Sequence, residues 1–368
     1  MTTTTLDLRP HDDREMLLLI ACARASMSAA TEVHVRALVE GGPDWPRLLA
    51  LAERHGLRAL LYAHLSRTGA TAIAPGGAAA GAIASLRDYF HKTSALNVLL
   101  TGELLRLIAV LRDRGIEAVP FKGPALAVTL YGHVALRQFC DLDILVRARD
   151  VWRASDLLES EGFQPDVNVP AARRQGFIRR DYVQMFRRDG NRTLVELHWG
   201  IARHSFAVPF DADAIWPRLE LMMLQGAAVL RPCAEDLLLM LCVHGSRHGW
   251  DKLEGICALA ELVRRETALD WDAVWRRADE MHCRRMLVFG LLLAHAVCGV
   301  ALPSSIALRG SRTLLAMARR VVQRFTADEV ASRARTRVQQ GAFHLRLKDS
   351  YTDQARYCAR VAWHARGG

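Results

Sequence analysis

The sequence predicts an α+β fold, in which a small mixed β-sheet is flanked by helical regions on its N-terminal and C-terminal sides. Short apolar runs bounded by turn residues, which are typical of strands, lie in the middle of the chain. On both sides of them, apolar residues recur at helical spacing. We therefore divide the chain into an N-terminal helical region (1–92), a sheet core (93–232) and a C-terminal helical region (233–368).

The N-terminal region is predicted to be helical over residues 12–95, with turns at EGGPDW (40–45) and APGGAAAG (74–81). A helix is expected at 93–114, because apolar residues there keep helical spacing and Gly115 is a suitable end.

The sheet core is predicted from strands at 116–121 and 141–146, which are separated by a turn and a helix at 122–132. A helix at 148–162 follows the second strand. Residues 182–201 are expected to form a hairpin with Asp-Gly-Asn at its tip. From Cys233 onward the pattern is helical again.

The composition is that of an ordinary globular protein, with 51% hydrophobic and 24% charged residues in 368. Of the net charge of +10, +9 lies between residues 303 and 368. This basic segment indicates an anionic partner such as nucleic acid, phosphates or a lipid surface, or else a solvated helix face. Within it, residues 312–325 are predicted to dock in a helical bundle, with a membrane-surface helix as the alternative.

The eight cysteines include no C-x-x-C pair, which favours free thiols in a reducing compartment. An acidic HDDRE precedes the apolar run MLLLIACA (16–23), where an export signal would need positive charge. The apolar run at 286–302 is predicted to be a buried core helix, with a membrane span as the alternative. We expect a cytoplasmic protein without a transmembrane span.

Two aspartates lie at the start of a predicted buried strand, in FCDLDILV (139–146). Side chains at i and i+2 leave a strand on one face, so Asp141 and Asp143 are neighbours. Carboxylates that close repel each other unless a cation lies between them. Their oxygens suit a hard cation, most simply Mg²⁺. A surface pair that caps the strand is the alternative.

A third carboxylate comes from TLVELHWGI (193–201). Glu196 and His198 alternate with apolar residues and therefore project from one strand face. Together with the two aspartates, Glu196 would complete a two-metal site. His198 is predicted to orient a ligand, or to be a neutral core histidine.

The stretch FKGP (121–124) predicts a phosphate-binding turn. Gly123 opens the turn after a strand, and Pro124 suits the first position of a helix. The N-terminus of that helix would bind phosphate, and Lys122 adds a positive charge. The alternative is that Lys122 pairs with a nearby carboxylate and holds the turn. Metal-binding carboxylates opposite such a turn form a site for attack on a nucleotide's phosphate.

His244 and His248 are four residues apart on a predicted helix and share a face. That is the spacing of a zinc pair, but no glutamate lies between them and no further ligand is evident. A structural or phosphate-contacting role is predicted, with a zinc site as the alternative.

The ordered combination of FKGPALAVTLYG, RQFCDLDILV, ELHWGI and EDLLLMLCVHGSRHGW resembles an uncharacterised bacterial nucleotidyltransferase family of the DNA polymerase β superfamily. The resemblance covers about residues 40–300. It implies that the sheet is a nucleotidyltransferase core and that the enzyme uses two Mg²⁺ ions to transfer a nucleoside monophosphate from a nucleoside triphosphate. The acceptor would be a hydroxyl or phosphate of a small molecule, peptide or glycan, as in lasso peptide modification.

The resemblance also assigns roles. Asp141 and Asp143 would hold both ions, and Glu196 would bind the ion that activates the acceptor. Lys122, Gly123 and Arg137 would contact the triphosphate. The sequence departs from the superfamily pattern in having Lys-Gly where Gly-Ser is usual, and from the family pattern in having Ala258 where an acid is expected. A non-catalytic nucleotide- or protein-binding relative and a histidine-based metal hydrolase are the alternative functions.

Overall fold

A computed structural model describes residues 7–70, 77–188, 193–209, 211–302, 312–326 and 337–365, and it confirms the α+β class. The central sheet has the strand order β1-β2-β5-β4-β3. Strands β2 and β5 are parallel, and the other neighbours are antiparallel. The strands are β1 (Val119–Pro120), β2 (Asp141–Leu145), β3 (Gln164–Pro165), β4 (Val183–Arg187) and β5 (Leu194–His198).

The predicted hairpin is confirmed as β4 and β5, although its tip at 189–191 lies outside the described residues. A second hairpin, β6 (Glu220–Leu224) and β7 (Ala227–Arg231), was not predicted. Its turn residues Gln225 and Gly226 both have positive φ. Such turns are recognised by Asn-Gly or Asp-Gly, so Gln-Gly gave no signal.

The helices that the described ranges show before β1 are α1 (Arg14–Cys22), α2 (Ala29–Glu40), α3 (Trp45–Arg54), α4 (Arg58–Arg67) and α5 (Gly77–Asp113). The turn predicted at 74–81 is wrong for residues 77–81, which begin α5; residues 74–76 lie outside the described residues. Alanine has the highest helix propensity, and burial of Ala79 and Ala82 stabilises this first part of the helix. Helix α5 is continuous across the predicted boundary at 92/93, and the division into three regions stays a prediction.

The α-helices described between the strands are α6 (Gly123–Tyr131), α7 (Val151–Ser160) and α8 (Arg174–Arg180). The C-terminal region is helical where it is described, as predicted. Its helices are α9 (Ala234–His248), α10 (Leu253–Arg265), α11 (Trp271–Glu280), α12 (Arg284–Cys298), α13 (Arg312–Gln323), α14 (Arg337–Arg346) and α15 (Tyr351–Ala365).

The structure shows the surroundings of the two apolar segments for which a membrane location was the alternative. The run at 286–302 forms most of α12, a buried core helix as predicted. Helix α13 packs against α12 through buried residues such as Leu314 and Val321, as predicted for a bundle helix. Among the described residues, α5 is long and apolar enough to cross a membrane by length and composition, a test that core helices of soluble proteins also pass.

The described residues form two hydrophobic cores. In the first, residues of the N-terminal helices, such as Leu48 and Leu61, join residues of the C-terminal helices, such as Leu259 and Phe289. The second lies between the sheet and helices α5 and α7. Alternate residues of β2 and β5 are fully buried in that second core: Leu142, Ile144, Val195 and Leu197. The remaining residues of these strands therefore project to the opposite face.

Candidate active site

The register of β2 and β5 brings the predicted carboxylates together. Asp143 and Glu196 are direct partners in the parallel pair. The Nε2 atom of His198 lies 3.0 Å from Oδ1 of Asp143 and 3.2 Å from Oε2 of Glu196. The ligand atoms of these three residues lie within 4.8 Å of one another, which is a spacing that one metal ion can bridge.

Lys122 pairs with the same carboxylate. Its Nζ atom donates a hydrogen bond of 2.7 Å to Oδ1 of Asp143, whose side chain is 1% exposed. Burial alone would raise the pKa of Asp143, but the Lys122 ammonium and the hydrogen bond from His198 outweigh it and lower the pKa below its usual range. Asp143 is therefore an ionised, buried carboxylate.

Asp141 lies at the exposed end of the same strand face. Burial and the negative charges of Asp143 and Glu196 raise the pKa of Asp141 to about 6, although Lys122 and Arg137 act in the opposite direction. A cluster of three carboxylates thus retains uncompensated negative charge. Oxygen donors with excess negative charge fit a hard divalent cation such as Mg²⁺, so the residues present fit the metal that the sequence predicts.

His198 has the geometry of an orienting residue. The tautomer with its proton on Nε2 accounts for both carboxylate contacts. The Nδ1 atom is buried and has no hydrogen-bond partner among the described residues. A histidine that binds a metal through Nε2 normally donates Nδ1–H to an acceptor, and the described residues provide no such acceptor for His198. His198 is better suited to hold Asp143 and Glu196 in place than to bind metal itself.

The predicted phosphate-binding turn lies against the aspartates. Helix α6 begins at Gly123, and Pro124 occupies its first turn. Gly123 has a φ of +49°, and a Cβ atom there would lie 3.2 Å from the Asp141 carbonyl oxygen. Glycine is therefore required both by the left-handed backbone and by the close approach to β2. The contact of this turn with a phosphate stays a prediction.

Arg137 reaches the site but is already paired. Its Nε atom lies 2.9 Å from Oε1 of Glu254, on α10. Burial would lower the pKa of Arg137, yet the charge of Glu254 together with Tyr131 and the two aspartates more than offsets this and raises it. Sequence reasoning sought an acid at Ala258 and missed Glu254, one helical turn earlier on the same face. A role of Arg137 toward the triphosphate stays a prediction.

A cavity of about 520 Å³ opens between these strands and helices α9 and α10. Volumes of this size are usual for small-molecule sites. Charged residues from both sides face it, so carboxylates and cations share one chamber. Its polar lining includes Lys122, Arg137, Asp141, Glu196, His244, Arg247, His248, Asp251, Lys252 and Glu254.

The two histidines of α9 face this cavity with their ring centroids 4.6 Å apart. Burial, with the charge of Lys122 and the neighbouring His248, lowers the pKa of His244 well below its usual value. Burial and the charges of Arg247 and Lys122 lower the pKa of His248 to about 4. No third metal ligand joins these histidines within the described ranges, so a zinc site here lacks support.

Trp250 fixes the wall that follows α9. Its φ is +53°, and its amide donates 2.9 Å to the carbonyl of Gly245. A Cβ atom added to Gly245 would lie 2.5 Å from the Trp250 indole, and one added to Gly290 would lie 2.9 Å from it. Both glycines therefore leave space that the ring occupies. The end of the segment EDLLLMLCVHGSRHGW (235–250) therefore has a packing role, because Trp250 folds back on α9 and holds the turn that follows this helix at the cavity.

Comparison with known families matches residues 41–299 to a family described as uncharacterised nucleotidyltransferase. A search of the curated proteins finds no match. The family match spans well over half of the chain and includes every predicted site residue. This protein therefore belongs to that nucleotidyltransferase family, and its activity is the transfer of a nucleotidyl group.

Proposed function

We propose that the enzyme transfers a nucleoside monophosphate from a nucleoside triphosphate to a hydroxyl or phosphate of an acceptor, with Asp141, Asp143 and Glu196 holding Mg²⁺. The observation that carries this proposal is the parallel register of β2 and β5, which places Asp143 beside Glu196. Asp141 lies two residues before Asp143 on the same face of β2, and its side chain lines the cavity together with Glu196. Two ions are proposed because three clustered carboxylates resemble a two-metal site.

The chain's own residues would act by positioning and by charge. His198 holds two carboxylates through its hydrogen bonds, and Lys122, which lines the cavity, would meet the triphosphate there. Divalent cations, when bound, would offset the charge that develops on the reacting phosphate. No covalent nucleophile is required for such a transfer, because alignment and electrostatic stabilisation lower the barrier.

The acceptor is proposed to be a small molecule, peptide or glycan, including a natural product such as a lasso peptide. We also propose a cytoplasmic location, which the free cysteines of the structure support. The basic segment after residue 303 is proposed to contact an anionic partner, because it carries +9 of the net charge.

The proposal is tested with nucleoside triphosphates labelled at either the α- or the γ-phosphate, incubated with Mg²⁺ and fractionated metabolite and peptide extracts. Transfer of α-label but not γ-label to an acceptor is expected. Asp141→Asn and Asp143→Asn should abolish it. Asp251→Asn is the matched control, because Asp251 also lines the cavity but lies between helices α9 and α10 and not on β2 or β5.

The same experiment addresses the non-catalytic alternative. Magnesium-dependent nucleotide binding without transfer to any fraction would favour a binding protein. Transfer of the γ-label would instead indicate a kinase and would overturn the nucleotidyl assignment.

A further inference from the structure

The ammonium of Lys122 lies where a divalent cation would contact Asp143. It is 2.7 Å from Oδ1, and the lysine side chain is 18% exposed toward the cavity. We infer that Lys122 is the counter-ion of Asp143 in the metal-free enzyme, and that a divalent cation displaces it toward the nucleotide. This inference rests on the proposed function, because it concerns the same metal site.

A buried carboxylate needs a counter-ion. Asp143 is 2% exposed, and a charge so deeply buried is costly when it is unpaired. Among the described residues, Lys122 is the only lysine or arginine within ion-pair distance of Asp143. His198 also contacts this carboxylate, with its Nε2 atom 3.0 Å from the same Oδ1. Lys122 therefore neutralises the site when metal is absent.

Lys122 and a divalent cation cannot both remain on this carboxylate at low cost. An ammonium and a metal ion that share one carboxylate group would lie within a few ångströms of each other. Like charges so close repel each other strongly at the effective dielectric constant of a partly buried site. Metal binding therefore removes the attraction that holds Lys122 and adds a repulsion.

The cavities beside Lys122 provide space for the displaced side chain. Lys122 lines both the main cavity and a small adjoining one formed with His198 and His244. A lysine side chain can swing about its own rotatable bonds without a change in the backbone. The two histidines of α9 in this wall are held neutral, so they do not compete with it for an anion. A phosphate group entering the cavity is then the natural new partner for the ammonium.

This exchange would couple the two ligands. Metal binding frees Lys122 for the triphosphate, and the triphosphate in turn removes a competitor of the metal. Reciprocal effects of this kind are a coupling free energy between two sites. A purely structural ion pair makes the opposite prediction for the metal, because loss of Lys122 would then disorder Asp143 and weaken metal binding.

The test is a titration with Mn²⁺ alone, followed by the electron paramagnetic resonance signal of the free ion, without nucleotide. Lys122→Met should bind Mn²⁺ about tenfold more tightly than the wild type, within the usual range of coupling between sites. Lys122→Gln should shift the affinity in the same direction and serves if the methionine variant does not fold. Lys252→Met is the matched control, since this cavity lysine lies outside the ion pairs of Asp143, and its Mn²⁺ affinity should equal that of the wild type.

A second titration uses a nucleoside triphosphate analogue that cannot be cleaved between its α- and β-phosphates. The increase in its affinity on addition of Mn²⁺ should be about tenfold smaller in Lys122→Met than in the wild type. An equal increase in both proteins would overturn the proposed coupling.

The outcomes separate this inference from the proposed function. Suppose that the wild type binds Mn²⁺, Asp143→Asn does not, and Lys122→Met matches the wild type or binds more weakly. The inference then fails and the proposed metal site stands. Absence of Mn²⁺ binding by both the wild type and Lys122→Met overturns the metal site and the inference together.

Discussion

Nζ of Lys122 and Oδ1 of Asp143 are 2.7 Å apart, so the cation predicted to meet a phosphate is bonded to a predicted metal ligand. The two aspartates of the motif consequently differ in their electrostatic state. Asp143 has a cation beside it and is buried, whereas Asp141 lies at the cavity and has only more distant cations. Substitution of the two residues should therefore have opposite effects on the metal-free protein.

Asp141→Asn should stabilise the metal-free enzyme. The pKa of Asp141 is raised to about 6 by burial and by its acidic neighbours. A carboxyl group whose pKa is raised in the folded state lowers the free energy of unfolding. This loss grows as the pH increases from about 4 to about 6 and then stays constant. Removing the charge should increase the free energy of unfolding by about 2 kcal/mol at pH 7.5 and leave it unchanged near pH 4. Urea unfolding in EDTA measures the difference, and a clear loss of stability at pH 7.5 would make Asp141 a structural residue.

Asp143→Asn should destabilise the same preparation. Its pKa is lowered because Lys122 and His198 outweigh the effect of burial, so the ionised form contributes stability above the pKa of the unfolded chain. The amide leaves Lys122 without its counter-ion, at a cost of about 3 kcal/mol. The difference from the wild type should persist from pH 7 to pH 5 and shrink as the pH falls below about 4. Equal stability of the two proteins at pH 7 would show that the ion pair contributes nothing.

His55 predicts an acid-induced loss of stability far from the carboxylates. The ring is fully buried, accepts a hydrogen bond from the Leu253 amide at Nδ1 and lies 3.3 Å from the Phe325 carbonyl through Nε2. Burial lowers the pKa of His55 to about 4, although the contact with Phe325 opposes this. His55 takes up a proton at a higher pH in the unfolded chain than in the folded protein. The free energy of unfolding should therefore fall by about 3 kcal/mol as the pH decreases from 6.5 to 4.

The measurement for His55 is the free energy of unfolding of the wild type and His55→Gln between pH 4 and pH 7. The glutamine amide can donate and accept but does not titrate, so its curve should be flatter over this range. Parallel curves for the two proteins would assign the acid sensitivity to other groups.

Gly245→Ala tests the packing of Trp250. The new Cβ atom would lie 2.5 Å from the indole, so the ring or α9 must move. Overpacking of this kind should lower the free energy of unfolding by about 2 kcal/mol and weaken nucleotide binding, because the cavity wall after α9 shifts. Gly255→Ala is the control, since its Cβ would meet the same indole at 3.9 Å, an ordinary contact. Thermal unfolding and calorimetric titration of both variants check the prediction, and similar behaviour of the two would contradict it.

Much of the site followed from local patterns. Alternation along each strand was sufficient to place Asp141 with Asp143 and Glu196 with His198. The parallel pairing of β2 with β5, which brings the four residues together, could not be predicted, because it depends on which strands meet after a long crossover. The partner of Arg137 was missed for the same reason. A pairing of Lys122 with a nearby carboxylate was an alternative from the sequence, but the sequence did not identify Asp143 as that carboxylate. Both partners lie on elements remote in sequence from the cation that they hold.

The core that the N-terminal and C-terminal helices share has a consequence for the order of folding. His55 and Leu253, which are joined by a hydrogen bond, lie 198 positions apart in the sequence. Contacts of such separation slow folding, because a long loop must close before they contribute. During synthesis, the first four helices leave the ribosome long before α10 and α12 exist to cover their apolar faces. The nascent chain should thus depend on chaperones until the wall of the cavity has been translated.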